Sequence, residues 1–203
     1  SGLERFAREL GVSADSLLRL GVGWAAEHRA WGFPMRDPAG RVTGIRLRFR
    51  DGGKSSVRGG REGLFIPDGL PGPGAPWPYG ERLYVAEGPT DTAAMLTLGL
   101  AAVGRPSCGG GTRYIVELAR GRHVVIVADA DEPGRKGAAA LADVLRMHCP
   151  DVRIVFPPLA AKDIRDAVRS GATRADVERA VAQAEAIRRW SPRAVAAVKG
   201  GAL

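Results

Sequence analysis

From residue 83 onward the chain alternates short β-branched apolar runs with segments of helical period, and this alternation leaves few folds open to it. Short apolar runs bounded by turn signals read as strands buried on both faces, the mark of a parallel sheet. The pattern predicts strand 83–86, helix 90–98, strand 101–103, helix 112–119, strand 123–128, helix 134–147, strand 152–156, and helices 162–169 and 174–189. Strands alternating with helices imply a parallel sheet with helices on its faces. In such sheets chemistry gathers at the carboxyl ends of the strands. Two acidic clusters stand at such ends: Glu87-Gly88-Pro89-Thr90-Asp91 and Asp129-Ala130-Asp131-Glu132-Pro133-Gly134. Carboxylates at two strand ends can share one hard divalent cation, a layout suited to Mg²⁺-dependent phosphoryl transfer.

Asp129 and Asp131 lie two residues apart, so an extended chain turns both to one face, where they can bind one metal or two adjacent ones. Ala130 between them is small and keeps the approach open. Pro133 near the first helical position starts the next helix without wasting a backbone donor. Arg135 and Lys136 fall in that helix's first turn, where positive charge opposes the dipole, so they point to an anionic partner. Glu87 ends its own strand in the same way. Asp91 has two readings: a metal contact, direct or through water, or an acidic residue that complements a helix N-terminus. A third cluster, Lys162-Asp163-Ile164-Arg165-Asp166, follows the apolar run 152–156, and Asp163 reads either as a further ligand or as a simple N-cap. Residues 106–112 (PSCGGGT) read either as a phosphate cradle with Thr112 capping the next helix, or as an ordinary strand-to-helix loop.

The amino-terminal part differs in character. Residues 3–20 read as one or two short helices with a turn or N-cap at 13–16. Residues 30–35 and 42–49 flank Arg36-Asp37-Pro38-Ala39-Gly40, strong hairpin chemistry. The second hairpin strand alternates Ile45, Leu47 and Phe49 with Arg46, Arg48 and Arg50, so period two predicts three guanidinium groups in a row on an exposed face. Net charge is +8, and residues 41–61 hold seven Lys or Arg, Arg58 among them, against Asp51 alone. Such a strip is either a solvated strand face or the footprint of a polyphosphate or nucleic-acid partner. The Pro- and Gly-rich stretch 67–80 reads as a linker or ordered loop between the two parts.

Other classes are disfavoured. There is no apolar run of about 18 residues to cross a membrane. Cys108 and Cys149 form no CxxC pair and, with the histidines, no recognised zinc spacing, which fits a reduced cytoplasmic protein. Ser1-Gly2 looks like a cloning remnant and no secretory signal is read. Gly53-Lys54-Ser55 imitates the end of a Walker A loop, but Arg48 stands where that pattern needs glycine.

The ordered set EGxxD, DxDxxG and a KD-containing segment, each after a strand, resembles the TOPRIM domain of topoisomerases, primases and some nucleases over roughly residues 81–170. Phe33-Pro34-Met35-Arg36-Asp37, Gly40, Gly44, Arg48, Lys54 and Leu64-Phe65 resemble the basic subdomain that precedes TOPRIM in bacterial and phage primases, although Ser55 follows Lys54 where that family usually has an aromatic residue. The resemblance implies an α/β fold: a TOPRIM-type parallel sheet flanked by helices (81–172), preceded by a small α+β basic subdomain (1–70) and a linker (71–80), and followed by a helix (173–190) and a tail (191–203).

It also implies primer synthesis, in which a 3′-hydroxyl attacks the α-phosphate of a nucleoside triphosphate on a single-stranded DNA template. Glu87, Asp129 and Asp131 would be catalytic. Mg²⁺ or Mn²⁺ would be held by Asp129 and Asp131, with Glu87, Asp163 and Asp91 as further ligands, and Glu87 alternatively as general base. Arg48 and Lys54 would contact template and nucleotide, with Arg46, Arg58, Arg135 and Lys136 as further phosphate contacts. The implied partners are the template, nucleoside triphosphates and a replicative helicase or helicase domain, in a prokaryotic, phage or plasmid setting. The competing readings are a TOPRIM nuclease, a topoisomerase fragment and a non-catalytic DNA-binding adaptor. A topoisomerase needs a nucleophilic tyrosine on another domain, and Tyr79, Tyr84 and Tyr114 fall in a linker, a strand and a helix.

Overall fold

The computed structural model describes residues 1–78 and 81–187. The predicted tail at 191–203, positions 188–190 of the predicted last helix, and Tyr79 and Gly80 of the predicted linker lie outside the described residues.

Two short helices open the chain, α1 (Gly2–Leu10) and α2 (Ala14–Arg19). Ser13 caps α2 by accepting from the Ser16 N–H, and its own N–H donates to Thr97 Oγ1 at 2.9 Å, which ties the cap to a helix far along the chain. An antiparallel sheet follows, with β1 (Gly23–Ala25), β2 (Ala30–Arg36), β3 (Val42–Arg48) and β4 (Lys54–Ser56) in that order. The hairpin between β2 and β3 is the predicted one. Asp37 accepts from the Ala39 and Arg41 N–H groups and closes the turn. Strands β1 and β4 have three residues each and are too short to show a period in the sequence.

The second sheet is parallel, with strand order β6-β5-β7-β8: β5 (Arg82–Glu87), β6 (Ala102–Arg105), β7 (His123–Val127) and β8 (Asp151–Val155). Helices α3 (Gly88–Thr97), α4 (Thr112–Ala119), α5 (Glu132–Leu145), α6 (Ile164–Arg169) and α7 (Arg174–Gln183) flank it. Both faces are covered. Tyr84, Ala86, Val125, Val127 and Val155 pack with α1, α2, α3, α6 and α7. Leu83, Val85, Val124, Ile126 and Val152 pack with α4 and α5. The strict alternation between the two cores explains why the strands read as unbroken apolar runs.

The predicted elements are present with shifted ends. Helix α5 begins at Glu132 because Asp131 caps it, and α6 begins at Ile164 because Asp163 does. Helix α7 ends at Gln183 rather than running to 189; Ala184 is extended and Ile187 forms an antiparallel bridge with Val152, so burial on the sheet edge overrides helical propensity there. The segment Leu64-Phe65 joins the two sheets. Leu64 exchanges backbone hydrogen bonds with Arg36 at 2.7 and 2.8 Å, and Phe65 with Gly104 of β6 at 2.9 and 3.0 Å. No helix among the described residues is long and apolar enough to cross a membrane.

Candidate active site

The carboxyl ends of β5 and β7 lie side by side, and the loops that leave them form one wall of a cavity of about 350 Å³. Glu87 is the last residue of β5. It occupies the N-cap position of α3 but makes no side-chain capping bond, which leaves its carboxylate to the cavity. Gly88 turns the chain at φ 79°, a conformation glycine adopts without strain. The loop after β7 is stitched to its neighbours: the Ala128 N–H donates to Val155 and the Ala130 N–H to Lys162. These bonds bring Asp129 and Asp131 against the 162–165 segment. Gly134 approaches so closely that a Cβ there would lie 2.7 Å from the Asp129 carbonyl oxygen. The glycine of DxDxxG is therefore a packing requirement of Asp129.

Five carboxylates line the cavity, those of Glu87, Asp91, Asp129, Asp131 and Asp163. Two of them also serve helices. Asp131 Oδ1 accepts from the Gly134 N–H at 2.8 Å, and Asp163 Oδ1 from the Asp166 N–H at 2.7 Å. Asp91, only 8% exposed, does not cap its own helix; its Oδ1 accepts the Arg165 N–H at the start of α6, 3.2 Å away. Burial, then the charges of Asp163 and Asp129, push the Asp91 carboxyl up to about 7. Burial and the charges of Glu87, Asp163 and Asp131 push Asp129 up to about 6. Glu87 is also raised, chiefly by burial, against the pull of Arg105.

Such mutual repulsion is what a hard cation relieves. Among the described residues no three His, Cys, Asp or Glu side chains sit close enough to hold one ion by themselves. The donor chemistry still fits Mg²⁺, which characteristically takes one or two carboxylates and fills its remaining positions with water and substrate phosphate.

The opposite wall is basic. Arg46, Arg48 and Lys54 reach the cavity from β3 and β4, and Arg48 pairs directly with Lys54 across the ladder. The expectation of three guanidinium groups in a row on an exposed face is corrected here. Arg46 and Arg48 are half-buried, because the loops of the parallel sheet cover that face, and only Arg50 is exposed. Arg58 is exposed in a turn outside the cavity. Arg135 and Lys136 do not line it either: Arg135 stacks over the Phe156 ring at 4.3 Å and Lys136 pairs with Glu132 at 2.6 Å.

The glycine-rich loop is likewise structural in part. The Cys108 backbone favours the ionised Glu87 carboxylate, and Gly137 packs so closely on Cys108 that a Cβ would meet its carbonyl oxygen at 2.6 Å. Gly111, not Thr112, holds the cap position of α4, and it makes no side-chain capping bond.

Several site residues escaped the sequence reading. Arg105, 5% exposed at the end of β6, is Glu87's partner in the parallel ladder and donates to the Gly110 and Gly137 carbonyls. Its place at a strand's carboxyl end was the available signal. Lys162 and Arg165 line the cavity beside Asp163, and their adjacency to that carboxylate was the signal. A second groove adjoins the cavity through Arg48 and Gly52, lined by Trp24, Trp31, Phe49, Arg5 and Arg50. Trp31 stacks on Phe6, while Trp24 is 43% exposed with the Arg50 guanidinium 5.6 Å from its ring. Nothing in the sequence brings Trp24 and Trp31 together except the long-range pairing of β1 with β2.

Neither a family model nor a curated protein matches the sequence. Solved structures do match. The E. coli primase catalytic core shares 20% identity with a TM-score of 0.64, over 91% of this chain and 73% of that one. A DnaG primase catalytic domain bound to single-stranded DNA shares 21% with a TM-score of 0.68, over 90% and 71%. The bacteriophage T7 assembly of lagging-strand DNA polymerase with the primase domains of two gp4 subunits shares 19% with a TM-score of 0.66, over 90% and 91%. A parallel sheet flanked by helices, preceded by a small basic α+β unit, is thus the fold of the bacterial and phage primase catalytic core, and this chain has that fold.

Proposed function

We propose that this protein is a primase catalytic core that joins nucleoside triphosphates into short primers on a single-stranded DNA template, with the acidic half acting as a TOPRIM domain. The observation that carries this reading is one cavity with an acidic wall from the parallel sheet and a basic wall from the antiparallel one. Cutting a strand needs the acidic wall; joining triphosphates also needs cations for a polyphosphate. The adjoining aromatic and arginine-lined groove supports a single-stranded partner, because every base presents a face that can stack. Neighbouring structures bound to single-stranded DNA, or to an RNA/DNA hybrid and dTTP, support the same partners. Similarity to the primase fragment of a T7 primase-helicase supports a helicase or helicase domain as a further partner.

Mg²⁺ or Mn²⁺ would be held by Asp129 and Asp131, with Asp163, Asp91 and Glu87 in the same cavity. Bound there, it would neutralise charge developing on the transferred phosphoryl group. Glu87, raised by burial, would take the proton of the attacking 3′-hydroxyl or join the metal set. Arg48 and Lys54, adjacent on the ladder, would orient phosphate groups opposite the carboxylates.

The test is an assay with labelled nucleotides, single-stranded DNA and Mg²⁺ or Mn²⁺, comparing wild type with Asp129→Ala and Glu87→Gln. Primer synthesis in the wild type, lost in both variants, is the expected result. Degradation of the DNA without synthesis would replace this reading with a nuclease.

A further inference from the structure

Two like-charged groups, Arg48 and Arg165, face one another in the cavity and share the charge of one buried carboxylate, Asp91. Arg48 projects from β3, and Arg165, the second residue of α6, from the opposite side. Arg165 is anchored by its backbone, whose N–H donates to Asp91. Its side chain makes only a long contact with Asp163, 3.9 Å, and its Nε is buried without a hydrogen-bond partner among the described residues. Arg46 beside them is in the same condition: its Nε lacks a partner, and its Nη2 makes only a 3.4 Å bond to the Pro106 carbonyl. Burial and the Arg165 charge both work against the Arg48 cation, and the Asp91 charge only partly offsets them. Unsatisfied guanidinium donors gathered against their mutual repulsion call for an anion between them.

The chemistry of that anion follows from charge density and shape. Carboxylates committed to a hard cation cannot also neutralise the basic wall, which leaves Arg46, Arg48, Lys54, Lys162 and Arg165 for a ligand. A strand backbone carries one charge per phosphate along an extended path, whereas a terminal polyphosphate concentrates several charges in a space like this half-enclosed cavity of about 350 Å³. The planar fork of arginine matches phosphate oxygens in pairs.

We infer that Arg165 and Arg48 form a clamp for the polyphosphate of the incoming nucleoside triphosphate, and that Arg165 selects triphosphates over monophosphates. This deepens the nucleotidyl-transfer reading and rests on it for the identity of the nucleotide.

Binding tests it apart from synthesis. Wild type, Arg165→Ala, Arg165→Gln and Arg165→Lys would be titrated calorimetrically with ATP, AMP and inorganic tripolyphosphate in Mn²⁺, and by fluorescence anisotropy with a short single-stranded DNA. Thermal melts identify any variant that fails to fold, and the remaining substitutions then carry the comparison. The expected result is a loss of about tenfold or more for ATP and tripolyphosphate in the Ala and Gln variants, with AMP and DNA affinities within about twofold and partial recovery in Lys. The clamp is overturned if wild type binds neither ATP nor tripolyphosphate, or if Arg165→Ala or Gln leaves both unchanged. It is also overturned if ATP and AMP weaken equally, or if only DNA binding is lost, which would make Arg165 a strand contact. Arg165-dependent tripolyphosphate binding in a protein that makes no primers would uphold the clamp and sink the primase reading.

Discussion

Gly134 bears no charge, yet it decides where a carboxylate sits. A Cβ at this position would lie 2.7 Å from the Asp129 carbonyl and 2.9 Å from its Cβ, both too close for any adjustment short of moving the loop. Gly134→Ala should therefore destabilise the fold by about 1–3 kcal/mol, as overpacking does. It should also cut primer synthesis, although residue 134 has no chemistry of its own. Urea melts and the nucleotide assay check this; a variant with wild-type stability and rate would show that the loop tolerates the side chain. Asp131 and Asp163 carry a second lesson. Each spends one oxygen on a helix cap, so replacing either with alanine mixes a lost cap, about 1 kcal/mol, with a lost ligand. Asparagine preserves the capping acceptor while removing the charge, and is the cleaner substitution at both positions.

Among the elements, the groove beside the cavity shows what a short strand can contribute. Strand β1 has three residues and carries Trp24, whose ring stays accessible because Trp31 meets it edge-on and is itself stacked on Phe6. Trp24→Ala should weaken single-stranded DNA binding about tenfold, the worth of one lost base stack, and leave ATP affinity unchanged. Anisotropy with a labelled oligonucleotide reads it; unchanged DNA affinity would remove Trp24 from the template path. The elements that positioned the carboxylates were legible because their signal is local. Strands β5 and β7 are unbroken apolar runs and the acidic motifs sit directly at their ends. What stayed hidden depends on contacts far apart in the chain. The basic residues of β3 read as solvent-facing because alternation alone cannot tell solvent from a second sheet. Strands β1 and β4 are too short to show a period, and α7 stops early because Ile187 pairs with Val152 across the sheet edge. The helix dipole points Arg135 and Lys136 to phosphate; in the structure they lie outside the cavity, beside Phe156 and Glu132.

At the scale of the molecule, Leu64-Phe65 stitches the two sheets together and fixes their facing walls, so the acidic cluster is held in place by the fold itself. That arrangement has a signature in stability. The Asp91 carboxyl is raised from 3.8 to about 7 and Asp129 from 3.8 to about 6. Between those limits the folded protein holds protons that the unfolded chain releases. Stability from these groups is thus greatest at or below about pH 4 and declines as pH rises to about 7. For Asp91, deeply buried, the difference is on the order of 4 kcal/mol. The substitution Asp91→Asn keeps an acceptor for the Arg165 N–H and removes the titration. In metal-free buffer the variant should melt several degrees above wild type at pH 8, and the gap should narrow by more than half at pH 5, where Asp91 in the folded wild type is largely protonated, closing only below about pH 4, where the unfolded chain holds the proton as well. Mg²⁺ should raise the wild-type melting temperature at pH 8 more than that of the variant, because neutralising the cluster relieves a repulsion the variant has already lost. Thermal melts of both proteins at the two pH values, with EDTA and with Mg²⁺, read all of these differences. A gap between wild type and variant that is the same at pH 5 and pH 8 would mean that Asp91 is ionised throughout, and that the cavity already supplies the positive charge the carboxylates demand.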